Sequence, residues 1–271
     1  PVRELVVQHL GNTSLDTLCI FDDIRAEPDT ATFSRALADA RAVNPDAVIG
    51  FGGGSAMDVA KLVAALLDGD QSIAEVFGID KLRNRSTWLA CLPTTAGTGS
   101  EVSPNAILLD ESANLKKGVI SPHLVPDLAM VDPLLTLPVP AAVTAATGLD
   151  ALTHCIEAYA NRFAHPLIDP YALRGVALIT RSIVRAVEDG RNVAARTDMA
   201  LGSLFGGLCL GPVNTGAVHA LSYPLGSQFH VPHGIANAVL LPHVLEFNLP
   251  AAVDRYARIA DAMGIVEPSI S

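Results

Sequence analysis

The sequence predicts an α/β unit with a mostly parallel sheet followed by an all-helical unit, and two observations carry that expectation. Up to about Asp132, short apolar runs alternate with amphipathic stretches, the pattern of strands joined by crossover helices. After Pro140 this alternation gives way to long Ala- and Leu-rich stretches of helical period. The Pro-rich segment Thr136 to Pro140 separates the two textures, which assigns residues 1–138 to the α/β unit and residues 139–271 to the helical one.

In chain order, Pro1 to Leu10 reads as a helix and Thr17 to Phe21 as a strand. A helix over Asp29 to Val43, a strand over Ala47 to Phe51 and a helix over Ser55 to Leu67 continue the βαβα pattern. Strand-like runs follow at Thr87 to Leu92, Asn105 to Leu109 and Leu128 to Val131, with a polar turn at Asp110 to Lys116. The helical unit is expected to contain Ala141 to Ala160, Pro170 to Glu188, Thr197 to Leu208, Ala217 to Tyr223, Gly234 to Phe247 and Ala251 to Met263.

With 271 residues, half of them hydrophobic, the chain can bury a core large enough for two domains. Its formal net charge of −10 argues against an extended contact with nucleic acid or an anionic membrane, both of which require clustered Lys and Arg. Apolar stretches are interrupted well short of the ~20 residues that span a bilayer, and no basic leader precedes an apolar run, so a cytoplasmic location is expected. Cys19, Cys91, Cys155 and Cys209 are widely spaced and form no CxxC pair, the pattern of buried thiols. The first residue is Pro and falls inside a helical pattern, which suggests a fragment.

Two loops stand out as possible anion sites. Ala47 to Phe51 ends in Gly52, Gly53 and Gly54, after which Ser55 is expected to open a helix with Asp58 as its capping partner. A strand, a glycine turn and a helix start together admit a pyrophosphate close to the backbone, where free N–H groups and the helix end favour negative charge. The spacing matches neither GxGxxG nor a P-loop, and a tight turn without ligand is also compatible with it. Pro93 to Glu101, which includes Thr94, Thr95 and Thr98, again follows a strand and can line the same cleft at the carboxyl edge of the sheet.

Asp150 and His154 lie four residues apart in a helical stretch, so both side chains leave one face and can reach one ion. His219 and His233 come later on separate elements, while His123, His165, His230 and His243 compete for membership. A carboxylate with imidazoles suits Fe(II) or Zn(II) better than the all-oxygen preferences of Ca or Mg.

With these residues in view, the sequence resembles the iron-containing (group III) alcohol dehydrogenase family. The resemblance rests on Gly52 to Ser55 with Asp58 and Lys61, on Pro93 to Glu101, on the block from Asp132 through Asp150 and His154 to Glu157, and on His219 to Gly226 with Pro232 to Gly234. It implies a dehydroquinate-synthase-like architecture, here shortened at both ends. It also implies Asp150, His154, His219 and His233 as ligands of Fe2+, with Zn2+ as the other possibility. NAD or NADP would contact Gly52, Gly53, Gly54, Ser55, Asp58, Thr94, Thr95 and Thr98, with Lys117 beside the ribose.

Many members carry a histidine where this chain has Tyr223, which makes Tyr223 a candidate catalytic residue together with His230. The implied activity is hydride transfer between NAD(P) and a small alcohol, aldehyde or ketone, the metal acting as Lewis acid, in a homodimer or higher homo-oligomer. A maleylacetate-reductase-like or hydroxyacid-oxoacid-type member, a lyase or cyclase of dehydroquinate synthase type, and an inactive fragment are the alternatives.

Overall fold

The computed structural model describes Glu4, Gln8, residues 15–113 and residues 115–265. The helix expected over Pro1 to Leu10 lies outside the described residues, Glu4 and Gln8 excepted. The first part comprises α1 (Thr30–Val43), β1 (Ala47–Gly52), α2 (Gly54–Leu66), the short α3 (Ile73–Val76), β2 (Gly78–Ile79), β3 (Trp88–Pro93), β4 (Asn105–Asp110), β5 (Leu115–Ile120) and β6 (Leu128–Ala129). From Ala141 the described chain is helical: α4 (Ala141–Tyr159), α5 (Asp169–Glu188), α6 (Val193–Leu210), α7 (Ala217–Phe229), α8 (His233–Asn248) and α9 (Val253–Met263).

The strands form two small sheets rather than one. In the order β1-β3-β6 all pairings are parallel, whereas in β2-β5-β4 the β5 and β4 pair is antiparallel. The polar turn expected over Asp110 to Lys116 is thus the tip of a hairpin whose second strand begins at Leu115. Thr17 to Phe21 is irregular, although its composition suits a strand, because a strand also needs a ladder partner and this segment has none among the described residues.

Caps explain where several helices begin. The Asp29 carboxylate accepts the Thr32 N–H at 2.6 Å, starting α1 one residue later than the apolar pattern alone would place it. Asn44 closes α1 in the left-handed region at φ 47°. α7 continues through Pro224 to Phe229, beyond the stop expected at Tyr223, and α8 likewise contains Pro242. Each proline forfeits one helical hydrogen bond.

α2 lies at the centre of the first part. Leu62, Val63 and Leu66 pack with Phe33, Leu108 and Val119 on one side, while Met57, Ala60 and Ala64 meet Leu89 and Cys91 on the other. The helical core is built around Ala151, Cys155, Tyr159, Val176, Ile179 and Met199. At ~25 cal/mol per Å2 of apolar surface buried, side chains of this kind supply most of the drive to fold.

The loop after β3 wedges between the two parts. Gly99 adopts φ +62° and abuts α6 so closely that a Cβ there would overlap the Cα of Gly207. Gly99→Ala therefore combines a left-handed alanine with a backbone clash and should cost about 2 kcal/mol or more in urea or thermal unfolding. Gly211→Ala, whose nearest atoms would stand at 3.6 Å, should stay within ~0.5 kcal/mol of the parent.

Candidate metal centre and dinucleotide cleft

Three helices bring the predicted metal ligands together. Asp150 projects inward from the middle of α4, His219 from the first turn of α7, and His233 is the first residue of α8, with Pro232 as its N-cap. Ligand atoms of Asp150, His219 and His233 all lie within 4.8 Å of one another. His219 Nε2 and His233 Nε2 each stand 3.5 Å from Asp150 Oδ1. His154 sits at the edge of this trio, its Nε2 4.0 Å from Asp150 Oδ1 and its ring stacked on His219 at 4.5 Å.

Burial pushes the Asp150 carboxyl up, yet His154, His233 and His219 outweigh it and hold the group below the usual carboxylate range. His154 is pushed down to about 4, chiefly by burial. Burial also acts to lower His219, but its bonds to Asp150 and Glu157 prevail and raise it to about 9. The donor set is a buried carboxylate faced by three imidazoles, and the Nδ1 of His154 and the Oδ1 of Asn237 are buried without partners. A divalent cation of borderline character fits that set.

Two further residues complete the centre. Glu157 Oε2 lies 2.5 Å from His219 Nδ1, while its Oε1 accepts the Val218 N–H at 2.7 Å. A carboxylate on Nδ1 holds a proton there, so that Nε2, which faces Asp150, is the nitrogen that would be free to bind a cation in place of its own proton. Asn237, one turn after His233, donates from Nδ2 to Asp150 Oδ1 at 2.7 Å. Both could have been found from spacing: Glu157 follows Asp150 by seven residues on the same helix face, and Asn237 follows His233 by four.

Tyr223 stacks on the His233 ring with centroids 6.0 Å apart, and its hydroxyl is pushed up to about 12 by burial, with help from the nearby carboxylates. His230 is exposed and ends α7 in the left-handed region, its backbone N–H directed to Gly226 O. It is not brought into the cluster. His165 accepts the Leu167 N–H locally, and Cys155 is buried with its thiol directed at Gly202 O, so neither joins the cluster.

The glycine turn and the hydroxyl loop do meet. The Thr94 N–H bonds to Gly52 O at 2.8 Å, a Cβ on Gly54 would stand 2.6 Å from Thr98 Cγ2, and one on Gly53 would lie 3.5 Å from Thr95 Oγ1. Gly52 has φ +153°, a conformation that favours glycine. A cleft of about 430 Å3 opens there, lined by Phe51, Gly52, Thr94, Thr95, Pro138 and Val143 among others.

Some details depart from expectation. The N-cap of α2 is Gly53, without a side-chain cap, and Ser55 Oγ instead accepts the Glu27 N–H at 3.2 Å. The expected capping pair of Ser55 and Asp58 is therefore absent. Asp58 has one oxygen on Ser100 Oγ at 2.6 Å and the other on Ile107 N at 2.9 Å, so it ties loop and strand to the helix.

Lys117 turns away to Asp110, 2.6 Å distant, and stands over the Phe77 ring. Strand parity sends Lys116 to the opposite face. There its ammonium is 2.5 Å from Glu27 Oε1, beside Gly226 and close enough to His233 to lower it further.

Comparison with known proteins agrees with this architecture. Residues 2–133 match the model of iron-containing alcohol dehydrogenase, and residues 144–270 match the C-terminal model of the Fe-containing alcohol dehydrogenase family. The long-chain-alcohol dehydrogenase 1 of Geobacillus thermodenitrificans is 44% identical over 248 residues, which cover 90% of this chain and 62% of the relative. The chain thus spans less than two thirds of that relative's length.

The iron-containing alcohol dehydrogenase of Thermotoga maritima superposes with a TM-score of 0.89 at 32% identity, covering 97% of this chain and 72% of that one. Sulfoacetaldehyde reductase from Bifidobacterium kashiwanohense, solved in complex with NAD+, superposes with a TM-score of 0.84 at 30% identity, covering 98% and 76%. The sequence motifs, the fold and these likenesses agree: the chain belongs to the iron-containing alcohol dehydrogenase family.

Proposed function

We propose that this chain forms the cofactor- and metal-binding body of a dehydrogenase that passes hydride between NAD or NADP and a small alcohol, aldehyde or ketone. The observation that carries this reading is the convergence of Asp150, His219 and His233 from three helices. Residues 1–138 act as the nucleotide-binding half and residues 139–271 as the metal-binding half. The relatives are longer than this chain, so the reading concerns the whole protein to which these residues correspond.

Asp150, His154, His219 and His233 hold Fe2+, or Zn2+ in its place. The bound ion supplies Lewis acidity toward the substrate oxygen. Glu157 fixes the His219 ring and its tautomer, and Asn237 orients the Asp150 carboxylate. Tyr223 covers the His233 side, where its protonated hydroxyl serves as a donor.

Across the cleft, Gly52, Gly53, Gly54 and Ser55 offer the pyrophosphate an uncapped helix start, and Thr94, Thr95 and Thr98 line its approach. The NAD+ held by the sulfoacetaldehyde reductase supports a dinucleotide here. Four free cysteines suit a reducing, cytoplasmic setting, and assembly as a homo-oligomer completes the proposal.

Protein purified without oxygen should contain iron and change NAD(P)H absorbance with a panel of alcohols and aldehydes. Asp150→Ala and His219→Ala should each lose bound metal and turnover together. Full turnover in a metal-free variant would overturn the reading.

Glu157→Gln keeps the shape but gives up the carboxylate on His219. It should weaken metal affinity by roughly 10- to 100-fold in a chelator competition, with the helical circular dichroism unchanged. Unaltered affinity would remove Glu157 from the centre.

A further inference from the structure

Lys61 has no task in the chemistry above, yet it is the most completely buried charged side chain among the described residues, at 0% exposure. Its Nζ donates to three backbone carbonyls, Ser100 O at 2.8 Å, Ser103 O at 2.8 Å and Asn105 O at 2.7 Å. The hydroxyl oxygens of Ser100 and Ser103 stand at 3.1 and 3.4 Å. Three short bonds to three acceptors use all three hydrogens of an ammonium, and a neutral amine has only two to give. Burial pulls the Lys61 pKa down, while Asp58 opposes that pull.

Asp58 precedes Lys61 by three residues, so both leave the same face of α2. Asp58 accepts from the Ser100 hydroxyl and Lys61 donates to the Ser100 carbonyl, gripping one loop residue from two sides. The gripped segment is continuous with the loop carrying Thr94, Thr95 and Thr98, and α2 is continuous with the glycine turn. No other lysine among the described residues has an ammonium bonded to three backbone carbonyls.

We propose that Lys61 is a positioning residue for dinucleotide binding. Its ammonium fixes the segment from Ser100 to Asn105 against α2 and so sets the distance between the threonine hydroxyls and the glycine turn. The inference rests on the reading of this cleft as a dinucleotide site. It assigns Lys61 to cofactor affinity and leaves the metal centre, on other helices, independent of it.

The test compares the parent with Lys61→Met and Lys61→Arg, measuring NAD+ and NADP+ affinity, bound metal, and hydrogen exchange along the chain. Lys61→Met leaves three buried carbonyls without a donor and should weaken binding of whichever dinucleotide the parent prefers by roughly tenfold or more. Metal content should match the parent, and exchange should rise in residues 94–105 while α4 to α8 keep their protection. Lys61→Arg retains the charge with a different fork and should fall between the two; it serves if the Met variant does not accumulate in folded form.

Parent-like affinity with unchanged exchange in residues 94–105, in whichever variant folds, overturns the assignment. Simultaneous loss of metal and of protection throughout the chain also overturns it, since Lys61 would then be a general support. If the parent itself binds no dinucleotide, the functional reading fails, while the local rise in exchange still reports whether Lys61 holds the loop.

Discussion

The interior carboxylate of Asp150 is the constraint from which the helical half is best understood. It is 3% exposed in the middle of a helix, and its nearest polar partners are imidazoles and an amide. Leaving such a charge uncompensated in a protein interior costs several kcal/mol. α7 and α8 therefore have to deliver His219 and His233 to α4, which fixes where both helices begin. The two prolines inside these helices forfeit hydrogen bonds, a loss the surrounding packing has to offset.

Electrostatics in the centre is graded by second partners. The rings of His154 and His219 are stacked, yet burial holds one near 4 and two carboxylates raise the other to about 9. On His219 the bonds to Asp150 and then to Glu157 outweigh burial. Glu157 gives His219 a fixed proton and a fixed plane, whereas the His154 Nδ1 has no partner. Two stacked imidazoles, one from α4 and one from α7, are thereby made chemically distinct.

Periodicity made the helices legible because a buried stripe repeats along the chain whatever it packs against: α1, α2, α4 and α5 all begin within a residue of where the pattern places them. Pairing is less visible. Thr17 to Phe21 looks like a strand and has no ladder among the described residues, while the segment after Asp110 looks like a turn and contains β5, because ladders depend on a distant partner. The same limit separated Lys116 from Lys117, since only the register of β5 decides which of two adjacent lysines faces Glu27 and His233. Asp150, His219 and His233, which the fold brings together, were singled out through helix spacing and motif, and Glu157 was missed although it shares that spacing.

The two halves of the cleft are joined by contacts that leave little room for adjustment. Gly99 lies against Gly207 of α6, and Gly97 would meet Thr147 of α4 at 2.7 Å through a Cβ; within the helical half, a Cβ on Gly234 of α8 would likewise overlap the Ala146 carbonyl. Such close packing leaves little room for rotamers, so the Gly97 and Gly99 end of the hydroxyl loop is seated firmly on α4 and α6. Thr147 precedes Asp150 by less than one turn. The loop that lines the candidate dinucleotide cleft thus rests, through Gly97 and Gly99, on α6 and on the helix that carries Asp150.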